Sequence, residues 1–205
     1  MLQRKFIKWM ALNNYVTSIS FVLSTNSMLS SIFSSPVGPS GMSIFTTTYI
    51  GKDIVGQLAC LAYSWKSGKK SEPLRNIQKG VALQQVGVYL ENSSILISEN
   101  MVLPFLGMTS TMKNISFIKI GAVNATCLQK LAESGENGGD IGDIYSKVAS
   151  INTLTSTMGM LTGIGLIHIL PSYTLRTCIC LPLLTMISLY SVKQAVNSCY
   201  PEKGK

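Results

Sequence analysis

Apolar residues run along this chain in long, nearly uncharged blocks separated by short polar breaks, a spacing that predicts helices throughout. The first block, Met10 to Phe33, is uncharged and of near-membrane length. Ser34-Ser35-Pro36-Val37-Gly38-Pro39-Ser40-Gly41 breaks it, because proline lacks an amide donor and glycine carries a backbone-entropy cost. A second helix is predicted from Ile44 to Trp65 and a third from about Leu74 to Leu90. In the third, Val81, Leu83, Val86, Val88 and Leu90 mix helical and alternating spacings, and Ala82, Gln84, Gln85 and the absence of proline favour helix.

Ile95 to Ile97 and Met101 to Met108 form a short apolar segment interrupted by Pro104, expected as a kinked or half-buried helix. Phe117 to Leu131 predicts another helix, whose small residues Gly121, Ala122 and Ala125 let a neighbouring backbone come close. Glu133 to Asp143 is a glycine-rich acidic loop. The uncharged run that follows Lys147 is the best single transmembrane candidate, with Gly159 and Gly163 at small-xxx-small spacing for helix packing. Pro171 ends it, and Thr177 to Val192, kinked near Pro182, is a plausible last membrane helix.

The expected fold is therefore all-α, a membrane-embedded bundle of about four to six apolar helices. Residues 1–9 form a basic flank, 10–198 the helical membrane domain and 199–205 a basic tail.

Composition supports this picture. Only 13% of residues are charged, against roughly 25% in a typical globular protein. The mean hydropathy is +0.32, so the chain is short of polar side chains with which to cover a water-facing exterior. The net charge of +8 falls in clusters between apolar stretches, at Arg4, Lys5 and Lys8, at Lys66 to Lys79, and at Lys113 to Lys130. Basic loops beside apolar segments suit anionic lipid headgroups and the positive-inside bias, and no basic aromatic platform points to nucleic acid. The expected partners are membrane lipids, with a protein partner or a second copy of the chain beside them and no small-molecule ligand named.

The stretch before Asp53 contains no acidic residue and is basic and Ser-rich, and Lys5-Phe6-Ile7-Lys8-Trp9 gives a helix with basic and apolar surfaces, a composition that resembles a mitochondrial targeting segment. The competing reading, a membrane helix with the basic residues as its interfacial anchor, is preferred. The acid-free basic N-terminus favours a mitochondrial membrane over the endomembrane system.

Catalytic chemistry finds little support. Ser67-Gly68-Lys69-Lys70 resembles a phosphate loop but lacks the earlier glycine and the hydroxyl after the lysine. His168 is the only histidine, which excludes a His-based metal cluster and leaves no Ser-His-acid arrangement. Glu136, Asp140 and Asp143 do not match a calcium loop, and the five cysteines form no CxxC pair. Asn92, Asn114 and Asn124 each head a formal glycosylation sequon that matters only in a lumenal loop. No catalytic residue, metal or cofactor is expected. Lys52 and Asp53 stand apart: a charged pair within an apolar helix is costly against lipid, so it should face other helices or a wet cavity.

Lys52-Asp53-Ile54-Val55-Gly56-Gln57-Leu58 is similar to the Lys-Asp-x-x-Gly core of the root-UVB-sensitive family, which also follows an apolar helix. The resemblance continues in order through Tyr63-Ser64-Trp65-Lys66, Val88-Tyr89-Leu90-Glu91 and Lys113-Asn114-Ile115-Ser116. It ends with Gly142-Asp143-Ile144, Lys147, Thr153-Leu154 and Gly159, covering roughly residues 10 to 198. Where the family carries an acidic residue and an Asn-Asp pair, this chain has Val81 and Gln84-Gln85. The family's Ala-Thr-Arg-Ala segment appears without its arginine around Asn124-Ala125, and Val148 and Ile151-Asn152 replace further polar positions.

The resemblance implies a membrane protein of a family whose biochemical activity is not established, with plant members linked to ultraviolet-B responses, early seedling development, auxin transport and vitamin-type cofactor balance. The shared charged positions Lys52, Asp53, Glu91, Asp143 and Lys147 are expected to form a polar network between helices. The function expected is that of a non-enzymatic, transport-related or organellar multi-pass membrane protein. The alternative is a structural or assembly subunit packing through Gly159 and Gly163.

Overall fold

The computed structural model describes residues 2–33, 39–66, 73–97, 99–133, 141–170 and 172–200, and its regular structure is all helical. In chain order the helices are α1 (Leu2–Phe33), α2 (Pro39–Lys66), α3 (Pro73–Asn92) with a 3-10 turn at Ser93–Leu96, α4 (Glu99–Glu133), α5 (Ile141–Ile169) and α6 (Tyr173–Cys199).

Several elements run longer than the apolar blocks suggested. α1 takes in the basic flank: Arg4, Lys5 and Lys8 are exposed on its first turns while Phe6 and Met10 are buried between them. α4 passes through Pro104 and joins two segments expected as separate helices. Pro104 lies near the start of α4, where its missing donor removes a single bond to the carbonyl one turn back, and the buried Val102 and Leu106 on either side hold the helix together. In α6 the irregularity comes before Pro182, as a π-helical turn at Arg176–Cys180. Pro182 cannot donate to the carbonyl of Cys178, and a widened turn absorbs the missing bond without ending the helix.

α1 is the central element. α5 and α6 pack along it, α3 bridges it to α4, and α2 lies on the outer side of α4. Pairings give the directions. Ile144 clusters with Phe6 while Gly163 meets Val22, so α5 runs parallel to α1. Ser188 bonds Asn13 and Cys199 clusters with Phe6, so α6 runs antiparallel to it. α3 is parallel to α1, α4 antiparallel to α3, and α2 parallel to α4. The α1–α5 seam is the closest. A Cβ at Gly159 would meet the Tyr15 carbonyl oxygen, and one at Gly163 would lie 2.8 Å from the Val22 Cβ. The glycine pair thus packs helices, as its spacing predicts, and its neighbour is α1 of the same chain.

These directions sort the charges. Among the described helices, every lysine and arginine except Lys52, Lys113 and Arg176 lies toward one end of the bundle, where α1, α3 and α5 begin and α2, α4 and α6 finish. Polar side chains are also frequent in the interior, beside a larger apolar core. Ser20, Ser24, Asn92, Thr109, Ser116, Ser188 and Ser191 are fully or almost fully buried, whereas Leu58 (63%), Leu161 (64%) and Met186 (69%) are exposed. Apolar clusters around Phe6, Leu23 and Leu106 fill the remaining interior.

Among the described residues one helix, Tyr173–Cys199, is long and apolar enough to cross a membrane by length and composition. It is α6, and not the run after Lys147 that the absence of charge singled out. Ser150, Asn152, Thr153, Thr155, Ser156 and Thr157 lower the hydropathy of α5 although none is charged.

Candidate functional site

The polar interior begins with serines on α1. Ser20 Oγ donates to the Val16 carbonyl (3.1 Å) and Ser27 Oγ to that of Leu23 (3.2 Å), so these hydroxyls are buried without an orphaned donor. Ser24 reaches further, donating to Glu91 Oε2 on α3 at 2.7 Å. The same oxygen accepts from Lys113 Nζ on α4, also at 2.7 Å, with the carboxylate 1% and the lysine 14% exposed. Gly87, one turn before Glu91, makes this reach possible: a Cβ there would stand 2.9 Å from the Lys113 Cγ and 3.2 Å from the Thr109 carbonyl oxygen. The adjacent Asn92 ties three elements. Its Oδ1 accepts from Ser27, its Nδ2 donates to Thr177 Oγ1 (2.6 Å), and its carbonyl accepts from Tyr173 (3.2 Å).

Lys52 is 7% exposed; its Nζ lies 2.8 Å from Asp53 Oδ1 and 4.7 Å from the centroid of the Tyr49 ring. Asp53 is half-exposed and, with Gln57 and Cys60, lines an open groove of about 580 Å³ against Asn114, Phe117 and Ile118 of α4. Asp53 thus borders a cavity, while Lys52 is buried beside it. Asp143 and Lys147 make an exposed pair one turn apart on α5, at 2.6 Å.

The five charged positions selected from the sequence are not joined to one another by these ion pairs into one network: Lys52 pairs with Asp53 on α2, Asp143 with Lys147 on α5, and Glu91 with a sixth residue, Lys113. Lys113 is not among the five, although it is the only charged residue between Asn100 and Ile118, a signal that a buried partner exists. Among the described residues no group of three or more His, Cys, Asp or Glu side chains comes together. His168 is exposed at the end of α5. Asn92, Asn114 and Asn124, the sequon asparagines, all lie on helices. Ser67 to Lys70, Glu136 and Asp140 lie outside the described residues.

A second cavity lies deeper, between α1, α3, α4 and α5. It has a volume of about 230 Å³ and is lined by Asn13, Asn14, Thr17, Ser18, Gln84, Asn124 and Ser156, with Phe21 and Phe117 as its aromatic wall. The two rings meet edge to face, with centroids 5.8 Å apart. Phe117 stands between this chamber and the Asp53 groove, lining both. Gln84 and Asn124, two positions at which the chain departs from the family pattern, both line this chamber.

No solved structure matches the chain. A family model described as the vitamin B6 photo-protection and homoeostasis domain matches residues 4–200, from the first basic turn of α1 to just past the end of α6. With the ordered motifs around Lys52, Glu91, Lys113 and Asp143, this match over nearly the whole length places the chain in the root-UVB-sensitive family.

Proposed function

We propose that this family member is a multi-pass membrane protein with a transport-related, non-enzymatic role. The observation that carries the reading is the set of large aliphatic side chains exposed on α2, α5 and α6 around an interior that also holds serines, asparagines and an ion pair. Hydrocarbon around the bundle makes that outer surface favourable, and the paired interior keeps its charges tolerable. The basic residues at one end give the asymmetry that the positive-inside bias produces. A protein that moves a solute needs polar groups at mid-depth, and the chamber between α1, α3, α4 and α5 supplies them.

The assembly-subunit reading is less favoured, because Gly159 and Gly163 are covered by α1 and offer no surface to a partner. A mitochondrial membrane is the compartment we infer, from the basic, acid-free stretch before Asp53. Alkaline carbonate extraction of tagged protein from fractionated cells tests both statements. Retention in the mitochondrial membrane pellet is expected. Release into the supernatant overturns the membrane reading, and retention in an endomembrane fraction overturns the compartment.

A further inference from the structure

The chamber has a chemical signature of its own. Its polar lining comes from hydroxyl and carboxamide side chains, and no lysine, arginine, histidine, aspartate or glutamate borders it. The nearest pair, Lys113 with Glu91, is matched within itself, with the lysine Nζ 5.5 Å from the centroid of the Phe21 ring. A ligand with net charge would find no counter-ion in this lining, which disfavours it against a neutral one.

The lining is nonetheless incomplete. Thr17 Oγ1, Gln84 Oε1 and Asn124 Oδ1 are buried and have no hydrogen-bond partner. Gln84 as a residue is only 2% exposed and Thr17 only 7%, so bulk water does not serve them. A buried polar atom left unsatisfied is unfavourable, and the three residues that carry these atoms line the same chamber. A hydroxyl group donates and accepts at once, so it matches a threonine oxygen and either end of a carboxamide.

Size and access narrow the class further. One water requires roughly 10–15 Å³ of such space, far less than this chamber offers. A third cavity, of about 160 Å³, adjoins it through the shared Gly121 and Asn124. Gly121 is exposed, and a Cβ there would meet nothing within 4 Å, so the chamber has an open side at α4. Phe21 and Phe117 supply an apolar surface against which a ring can lie.

We infer that this chamber binds a small, net-uncharged, hydroxylated molecule through Thr17, Gln84 and Asn124, entering past Gly121. As a statement about transport this rests on the membrane reading above; as a statement about binding it is independent of it.

The test is equilibrium binding to the full chain purified in detergent micelles. The probes are glycerol, myo-inositol and pyridoxine, with pyridoxine 5′-phosphate as the charged counterpart; the family description motivates the last two. Saturable binding of at least one neutral probe is expected. It should weaken at least tenfold in Gln84→Leu and in Gly121→Phe, and stay unchanged in Lys147→Gln. The phosphate ester should bind at least tenfold more weakly than pyridoxine or not at all. Gly121→Phe fills open space and leaves the helix contacts in place, so its loss of binding at an unchanged melting temperature separates occlusion from misfolding. Failure of all three neutral probes to saturate means a chamber holding only water and overturns the inference, as does a phosphate ester that binds as tightly as its parent. Carbonate extraction reads membrane integration separately, so either statement can fail alone.

Discussion

Glu91 is the residue at which three helices are joined, since one carboxylate oxygen accepts from Ser24 of α1 and Lys113 of α4. Taking away one member of a buried pair leaves the other charged and unmatched, at about 3–5 kcal/mol, while replacing both with apolar groups of similar shape removes the desolvation penalty as well. Lys113→Met and Glu91→Leu should each lower stability by about that amount, and the double variant should recover most of it, as read by denaturant titration in micelles. Losses that simply add would show that the two residues act independently. Asp143→Asn is expected to change stability by less than about 1 kcal/mol in the same assay, because its pair with Lys147 is exposed on both sides. The sequence presents these two pairs in the same way, as charges next to apolar helices. Burial separates them, and burial depends on which face of α3 or α5 meets α1. Lys52 and Asp53 were legible as a costly pair needing company, whereas Gln84 and Asn124 were not, because an uncharged polar residue gives no signal of cost until its surroundings are known.

Among the elements, α1 and α5 show how much a spacing can specify. Two glycines one turn apart predicted close packing, and the seam against Tyr15, Ser18 and Val22 follows from their missing side chains. The spacing did not identify the neighbour, which lies far off in the chain. Gly159→Val should lower the melting temperature strongly, because the obstacle is the Tyr15 backbone, which cannot rotate aside, and overpacking typically costs about 1–3 kcal/mol or more. Gly165→Ala is the matched control: a Cβ there meets nothing, and helix propensity favours alanine by up to about 1 kcal/mol. Equal losses in both variants would mean that α5 responds to glycine removal in general and not to contact with α1. Helix boundaries were less legible. Pro104 and Pro182 read as interruptions, yet α4 and α6 continue past them, since a proline near a helix start removes one bond and a π-turn absorbs another.

At the scale of the whole molecule the distribution of charge carries orientation. Arg4, Lys5, Lys8, Lys79, Lys130, Lys147 and Lys193 all lie toward the end of the bundle at which α1 starts and α6 finishes. The opposite end, where α5 finishes and α6 starts, holds Arg176 as its one described lysine or arginine. No single cluster in the sequence shows this sorting, because consecutive helices reverse direction and alternate clusters return to the same side. In a bilayer such an imbalance retains the basic end on the side from which the protein inserts. Both ends of the described chain, at α1 and at α6, should then face that side. Two introduced cysteines test it: Ser146→Cys near the start of α5 and Ser172→Cys just before α6, both at exposed positions at opposite ends of the bundle. In sealed vesicles a membrane-impermeant thiol reagent should add label over the unsubstituted chain at one of the two positions and not the other, with the pattern reversed in inverted vesicles. Labelling of both from the same side would place the ends of the bundle in one compartment and remove the multi-pass reading, even for a protein that resists carbonate extraction.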